Sequence, residues 1–415
     1  MNNVVSMNAC LKPRPGSRAP SFLADYELSS SFQPIFSPTH QRLVGYEALV
    51  RVGHRGRQLP PPLLFERARE VGRIETLDQQ LINLHLGNFG QSERPAWLFL
   101  NINPDTCTQA TPYLEELASQ CQRAGIEPGQ VVLEVVETTT DKTRALMDFV
   151  DGARQRGFQI AIDDFGTGDS NFERMWRLNP LIVKMDRSLL VNAEQHPRAR
   201  QLLTSLVRMI RESGSLVLLE GIETEAQAKI ALATEADLMQ GFLFARPNQF
   251  DAFTDSPLES RFSQTIERFR RHSRQDVADH EGYLRLLRLE VMSACHSLVR
   301  ATAFNDACAS LLTVAGVKRC FLLNQAGVQQ GELAIDFPQR RSHDFNPLFQ
   351  SGGACWEHRE YFRNALSRPH DINASRPYVA LPDAIRTVTL SCGLHMNGKA
   401  MVFCVDLHPD AVFDG

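Results

Sequence analysis

Apolar runs recur along the first 250 residues, and each delivers a polar or charged residue at its C-terminal end. In order they are LVGYEAL, WLFLNIN, VVLEVVE, IAIDDFG, LIVKMD, LVLLEGIE and LMQGFLF. Short runs of this kind, rich in Val, Ile and Leu, predict buried β-strands. Between them lie amphipathic stretches such as PYLEELASQCQRAG, TRALMDFVDGARQRG and ARQLLTSLVRMIRESG. Apolar residues three to four apart with a closing Gly predict helices. Alternation at this interval predicts parallel βαβ units, enough of them to close a barrel. A parallel barrel gathers the C-terminal ends of its strands on one rim. There the pattern would assemble Glu47, Asn101, Glu134, Asp163 with Asp164, Lys184, Glu220 and Gln240.

The pattern changes after Pro247. Leu258, Phe262, Ile266 and Phe269 recur at helical spacing, and a second helical run from Tyr283 carries Leu284, Leu287, Val291, Cys295 and Leu298 on one stripe. From Val317 the runs shorten into strands with turn signals, and Asn397-Gly398 marks a hairpin. REYFRNALSRP predicts one short helix among them. The expected organisation is a disordered tail over 1–24, a barrel over 25–255, a helical linker over 256–313 and a small α+β module over 314–415.

Composition narrows the class. A chain of 415 residues is long for one core, so two domains are expected. A net charge of -4 offers no broad basic field for nucleic acid. No apolar stretch reaches the roughly 18 residues of a membrane helix, and the N-terminus lacks a signal-peptide pattern. Nine cysteines without a CxxC pair suggest reduced thiols and a cytoplasmic protein.

The rim chemistry is acidic. So many carboxylates crowd together only where cations neutralise them. Glu, Asn and Asp supply hard oxygen ligands suited to Mg²⁺ or Mn²⁺, and no His stands among them to suggest zinc. Asp163-Asp164 could diverge to hold different cations or could cap a helix. Lys184 could neutralise charge on a phosphate oxygen or pair with Asp186. Glu220 could accept a proton from an activated water.

GYEALVR, LNIN, LEVVE, AIDDFGTGDS, VKMDRSLL, LLEGIETEAQ and MQGFLFARP resemble, in order, the successive motifs of the EAL family of bacterial cyclic di-GMP phosphodiesterases. The resemblance covers residues 25–250. It implies a modified (β/α)₈ TIM barrel with one antiparallel strand, commonly dimeric, that hydrolyses cyclic di-GMP to linear pGpG. It also implies two Mg²⁺ or Mn²⁺ ions on Glu47, Asn101, Glu134, Asp163 and Asp164, with Lys184, Glu220 and Gln240 completing the water and phosphate shell. Gln33, Leu49, Arg51, Asp186 and Pro247 would contact the dinucleotide, and Glu223 and Glu137 would brace the loop over Asp163 to Gly168. Three positions depart from the usual pattern: Asp169 after GTG, Ser170-Asn171 in place of two serines, and Leu181 before the lysine motif. They leave open an inactive cyclic di-GMP receptor or scaffold as the alternative.

WEHREYFRNAL, SRPY, TVTLS and VFCVDL resemble a PAS-like or Cache-like sensor module. That likeness implies regulation of the barrel by an unidentified small ligand, with Arg359, Tyr361 and Tyr378 as candidate pocket residues.

Overall fold

Strands and helices alternate through the first part of the chain. They run β1 (Tyr26–Ser37), β2 (Arg42–His54), β3 (Arg57–Leu59), α1 (Pro61–Glu70), α2 (Ile74–Phe89), β4 (Trp97–Ile102), α3 (Ala110–Ala124), β5 (Val131–Val136), α4 (Thr143–Gln155) and β6 (Gln159–Phe165). After these come α5 (Phe172–Leu178), β7 (Ile182–Met185), α6 (Arg187–Gln195), α7 (Pro197–Glu212), β8 (Leu216–Leu219), α8 (Glu225–Ala233) and β9 (Leu238–Met239). The computed structural model describes residues 22–90, 96–136, 143–166, 172–253, 258–334, 352–380 and 385–409.

Strand order is β1-β9-β8-β7-β6-β5-β4-β2, and β1 also pairs with β2, so the sheet closes into a barrel. The pairs from β2–β4 through β8–β9 are parallel, whereas β1 runs antiparallel to both neighbours and the short β3 pairs antiparallel with β2. This is the expected modified (β/α)₈ barrel. The antiparallel strand needs no crossover helix, because a short turn joins it to β2.

Helix starts follow local chemistry. Pro stands in the first turn of α1 and α7, where its missing N–H costs nothing. Thr224 caps α8 in a reciprocal capping box with Gln227. The buried stripes of α3 (Leu114, Leu117, Cys121) and α4 (Leu146, Phe149, Val150, Ala153) pack on the outer face of the barrel in one core. Each such Leu or Phe contributes about 1.5–3 kcal/mol on burial.

The barrel interior holds an apolar layer of Ile35, Phe99, Val132, Ala161, Ile182, Leu218 and Leu238. Alternate residues on a strand share a face. Two positions further toward the mouth on these same strands stand Gln33, Asn101, Glu134, Asp163, Lys184, Glu220 and Gln240. On β2 the position two residues before Glu47 is Gly45, and a Cβ there would lie 2.9 Å from the Phe99 ring. Phe99 therefore fills the space that a β2 side chain would take.

One run differs from expectation. LMQGFLF is strand only at Leu238–Met239. A Cβ on Gly241 would lie 2.1 Å from the Ile222 carbonyl oxygen, so the chain leaves the sheet there to cross the segment after β8.

The structure divides into two compact units, Met1–Arg270 and Arg271–Gly415. The two helical runs expected after Pro247 form one helix, α9 (Leu258–Val299). Gly282 does not break it, since a single helical Gly costs only about 1 kcal/mol. Leu258, Phe262 and Ile266 belong to the core of the first unit, where Phe262 stacks on Phe36 at 4.6 Å.

In the second unit follow α10 (Phe304–Cys308), β10 (Val317–Asn324), β11 (Gln329–Ala334), α11 (Glu360–Ser367), β12 (Ile372–Ala374), β13 (Tyr378–Val379), β14 (Arg386–Met396) and β15 (Lys399–Leu407). Their antiparallel sheet has the order β11-β10-β15-β14-β12, with β13 beside β14. Cys320, Leu322, Phe403 and Val405 face Leu287, Val291 and Leu298 of α9. The alternate residues Phe321, Leu323, Val402 and Cys404 face Trp356, Tyr361 and Phe362.

Candidate functional site

The polar layer above the apolar one converges on a single ammonium. Lys184 Nζ lies 2.5 Å from Glu134 Oε1, 2.8 Å from Glu220 Oε1, 2.9 Å from Asp163 Oδ1 and 3.6 Å from Glu47 Oε1. Lys184 is 1% exposed and Glu134 0%. Glu47 is tied from two further strands. The Asn101 amide donates to its Oε1 at 3.2 Å, and the Gln240 amide donates to its Oε2 at 2.7 Å. Residues separated by up to 193 positions thus share one cluster.

Asp163 and Asp164 diverge for a backbone reason. The β6–β7 register shifts between Ile162 and Phe165, and Asp164 adopts φ 55°. This left-handed kink keeps Asp163 buried beside Lys184 while Asp164 turns to the surface.

The electrostatics follow from crowding. Burial raises the Glu134 carboxyl well above the usual range; Lys184 opposes this, and Glu47, Asp163 and Glu220 reinforce it. Burial pushes Glu220 up to about 8, with Asp163 and Glu47 adding to the shift. Asp164 is raised by burial and then by Asp163. Burial alone would discharge Lys184, but Glu134, Glu220, Glu47 and Asp163 hold it charged. Four acids compete for one ammonium, which is why their protons are held so tightly.

Among the described residues, no three His, Cys, Asp or Glu side chains surround a common point as a ready metal cage. The acids are drawn around Lys184 instead. The donor set nevertheless fits divalent cations of the hard, oxygen-seeking type. Glu134 Oε2 and Gln240 Oε1 are buried with no hydrogen-bond partner among the described residues. Such orphaned acceptors are costly unless a cation or water answers them.

A groove of about 700 Å³ is lined by Ser29, Ser31, Arg51, Pro61, Pro247 and Asn248 among others. In the β1–β2 register Gln33 faces Glu47, Ser31 faces Leu49 and Ser29 faces Arg51. The three pairs form one strip leading from the acid cluster toward Arg51. Ser31 was missed by sequence reasoning, and its buried Oγ has no partner among the described residues. Counting back by twos from Gln33 along β1 would have found it. A larger cavity of about 920 Å³, lined by His40, Trp97 and Arg211, opens where the parallel strands begin, away from the acids.

Other expected residues fall elsewhere. Asp186 does not pair with Lys184; it caps α6 by accepting from the Ser188 N–H at 2.8 Å. Glu223 accepts from Arg187 at 2.7 Å, a partner the sequence did not suggest. Glu137 and 167–171, with the departures at Asp169 to Asn171, lie outside the described residues. In the second unit, Arg359 stands 5.9 Å from the Trp356 ring and 5.3 Å from that of Tyr378, and its buried Nε has no hydrogen-bond partner among the described residues. Tyr361 is a core residue stacked on Tyr378 at 6.1 Å. No helix among the described residues is long and apolar enough to cross a membrane.

Comparison with known proteins places these features. Residues 18–247, more than half of the chain, match the EAL domain family. An uncharacterized signaling protein of Caulobacter vibrioides is 31% identical over 236 residues, covering 56% of this chain and 29% of that protein. A probable cyclic di-GMP phosphodiesterase of Escherichia coli, PdeI, is 27% identical over 237 residues, covering 55% of this chain and 30% of that protein. The aligned region thus spans under a third of the length of these curated relatives. The crystal structure of the Bacillus subtilis YkuI protein, with an EAL domain, in complex with substrate c-di-GMP and calcium, shares the fold. Its TM-score is 0.75 at 22% identity, covering 92% of this chain and 96% of that one.

Proposed function

We propose, from the premise that this chain belongs to the EAL domain family, that its barrel is a divalent-metal-dependent phosphodiesterase opening cyclic di-GMP to linear pGpG. The observation that carries this reading is the ring of four carboxylates around Lys184 at the strand ends, with Asp164 beside it. Relatives named as cyclic di-GMP phosphodiesterases support the substrate.

Glu47, Asn101, Glu134, Asp163 and Asp164 would hold two Mg²⁺ or Mn²⁺ ions. When bound, these ions supply charge neutralisation at the phosphodiester and a lowered pKa for the attacking water. The chain's own residues do the rest. Glu220 accepts the proton of the water that attacks phosphorus. As the new P–O bond forms, the P–O3′ bond breaks, and the 3′ oxygen takes a proton from solvent, to which Glu220 returns the one it accepted. Lys184 neutralises charge on the non-bridging oxygen. Gln240 holds Glu47 in orientation. Gln33, Leu49, Arg51, Asp186 and Pro247 bind the dinucleotide, Arg51 with a guanidinium fork to phosphate. Glu223 and Glu137 steady the loop over Asp163 to Gly168, Glu223 acting through Arg187.

The barrel is assigned to 25–255 and a PAS-like or Cache-like sensor to 314–415, with a homodimer as the working assembly. Arg359, flanked by Trp356 and Tyr378, would anchor the sensor's small ligand. Incubation with cyclic di-GMP and Mn²⁺ or Mg²⁺, followed by chromatography, should yield pGpG. Tight binding without product under both metals would favour the receptor alternative.

A further inference from the structure

Asp78 lies on α2, outside the barrel wall, and is 3% exposed. Its Oδ2 accepts from the Thr106 hydroxyl at 3.0 Å and from the Tyr113 hydroxyl at 2.9 Å, and the Asn103 main chain bonds to the same carboxylate. All three partners belong to the stretch that follows β4. The Asn103–Thr106 turn is also tied internally. The Asn103 side-chain oxygen accepts from the Asp105 N–H at 3.0 Å, and its carbonyl accepts from the Thr106 N–H at 2.9 Å. Asn101, whose amide reaches Glu47, stands two residues before Asn103.

A carboxylate is an expensive way to fill this space. Burial pushes Asp78 up to about 6, even though the Tyr113, Thr106 and Asn103 hydrogen bonds pull it down. An apolar residue of similar volume would pack α2 without that cost. What the carboxylate adds is direction, because its bonds to Asn103 and Thr106 fix the turn relative to α2, while that to Tyr113 ties in α3.

We propose that Asp78 is a positioning residue for the phosphodiesterase: it anchors the Asn103–Thr106 turn and thereby sets the backbone at Asn101, whose side chain completes the oxygen set with Glu47. This rests on Asn101 being a cation ligand, as in the function proposed above. Partners that orient metal ligands from behind typically change affinity or activity by about 10–100-fold when removed.

The test uses the full chain and Asp78→Asn, which keeps the shape and removes the charge. Mn²⁺ affinity by calorimetry and kcat should each fall about tenfold, with KM little changed. In an Asn101→Ala background the same substitution should alter Mn²⁺ affinity by no more than about twofold, because its route is already cut. A lowered melting temperature with unchanged Mn²⁺ affinity overturns the proposal, as does an equal effect in both backgrounds. If Asp78→Asn fails to fold, Thr106→Val removes one donor and keeps the carboxylate. It should weaken Mn²⁺ binding by less but in the same direction, and unchanged affinity again overturns the role. Wild-type protein that neither binds Mn²⁺ nor turns over substrate removes the parent function and this proposal together. Wild-type turnover with an indistinguishable Asp78→Asn removes the positioning role alone.

Discussion

Replacing Lys184 by Met separates the two ways the acid cluster can be neutralised. The ammonium lies within 2.5–3.6 Å of four carboxylates and is 1% exposed. Removing one partner of a buried ion pair costs about 3–5 kcal/mol, because the remaining charge is left unanswered. For a barrel-sized unit that corresponds to a fall of roughly 6–20 °C in Tm. The sign with pH follows from linkage. Without Lys184 the carboxyls hold protons more tightly in the folded state than in the unfolded chain. Stability is then greatest below the unfolded carboxylate range and falls as the pH rises through the raised folded values. The variant should therefore be hurt more at pH 8 than at pH 5. Mn²⁺ should restore part of the loss at pH 8, by about 2.7 kcal/mol at a hundredfold excess over Kd. Melting curves at the two pH values, with and without Mn²⁺, measure all of this. An equal loss at both pH values, or no rescue by Mn²⁺, would refute the reasoning.

Three further outcomes are expected. Burial lowers His85 from 6.5 to about 4. Its neutral form contributes about 3 kcal/mol that is present above 6.5 and lost as the pH falls through 4. Wild type should lose more stability than His85→Gln over that range. The difference isolates His85, because Asp78 is present in both proteins, and parallel pH profiles would contradict it. Gly241→Ala drives a Cβ to 2.1 Å from Ile222 O and should cost about 1–3 kcal/mol in denaturant titration; an unchanged midpoint would show that the crossing relaxes freely. Arg51→Lys keeps the charge but loses the fork, so KM for cyclic di-GMP should rise roughly tenfold with kcat little changed. Steady-state kinetics with equal KM would detach Arg51 from the substrate.

Much of the barrel site was legible because its strands are buried on both faces. A run such as VVLEVV tolerates Glu134 only if something inside needs it, so the acid stands out against its neighbours. The parallel topology then does the assembling. The antiparallel β1 was harder to read, since its functional residues precede Gln33 instead of following an apolar run. Gln33 was reached only through the family resemblance, and Ser29 and Ser31 beside it went unseen. Asp78 and His85 were passed over for another reason. In IETLDQQLINLHLGNF they share the stripe of Leu81, Ile82 and Phe89, and their spacing does not say which polar groups bury against them. Asp186 shows the reverse case: spacing suggested a partner for Lys184, but the N–H of Ser188 at the start of α6 claims its side chain.

The carboxylates around Lys184 are proposed to be a divalent-cation site that cleaves a dinucleotide. Anomalous scattering from crystals grown with Mn²⁺ and cyclic di-GMP tests it most directly. Manganese peaks at oxygen-ligand distance from Glu47, Asn101, Glu134 and Asp163 are predicted. Turnover in a protein whose manganese lies elsewhere would contradict it.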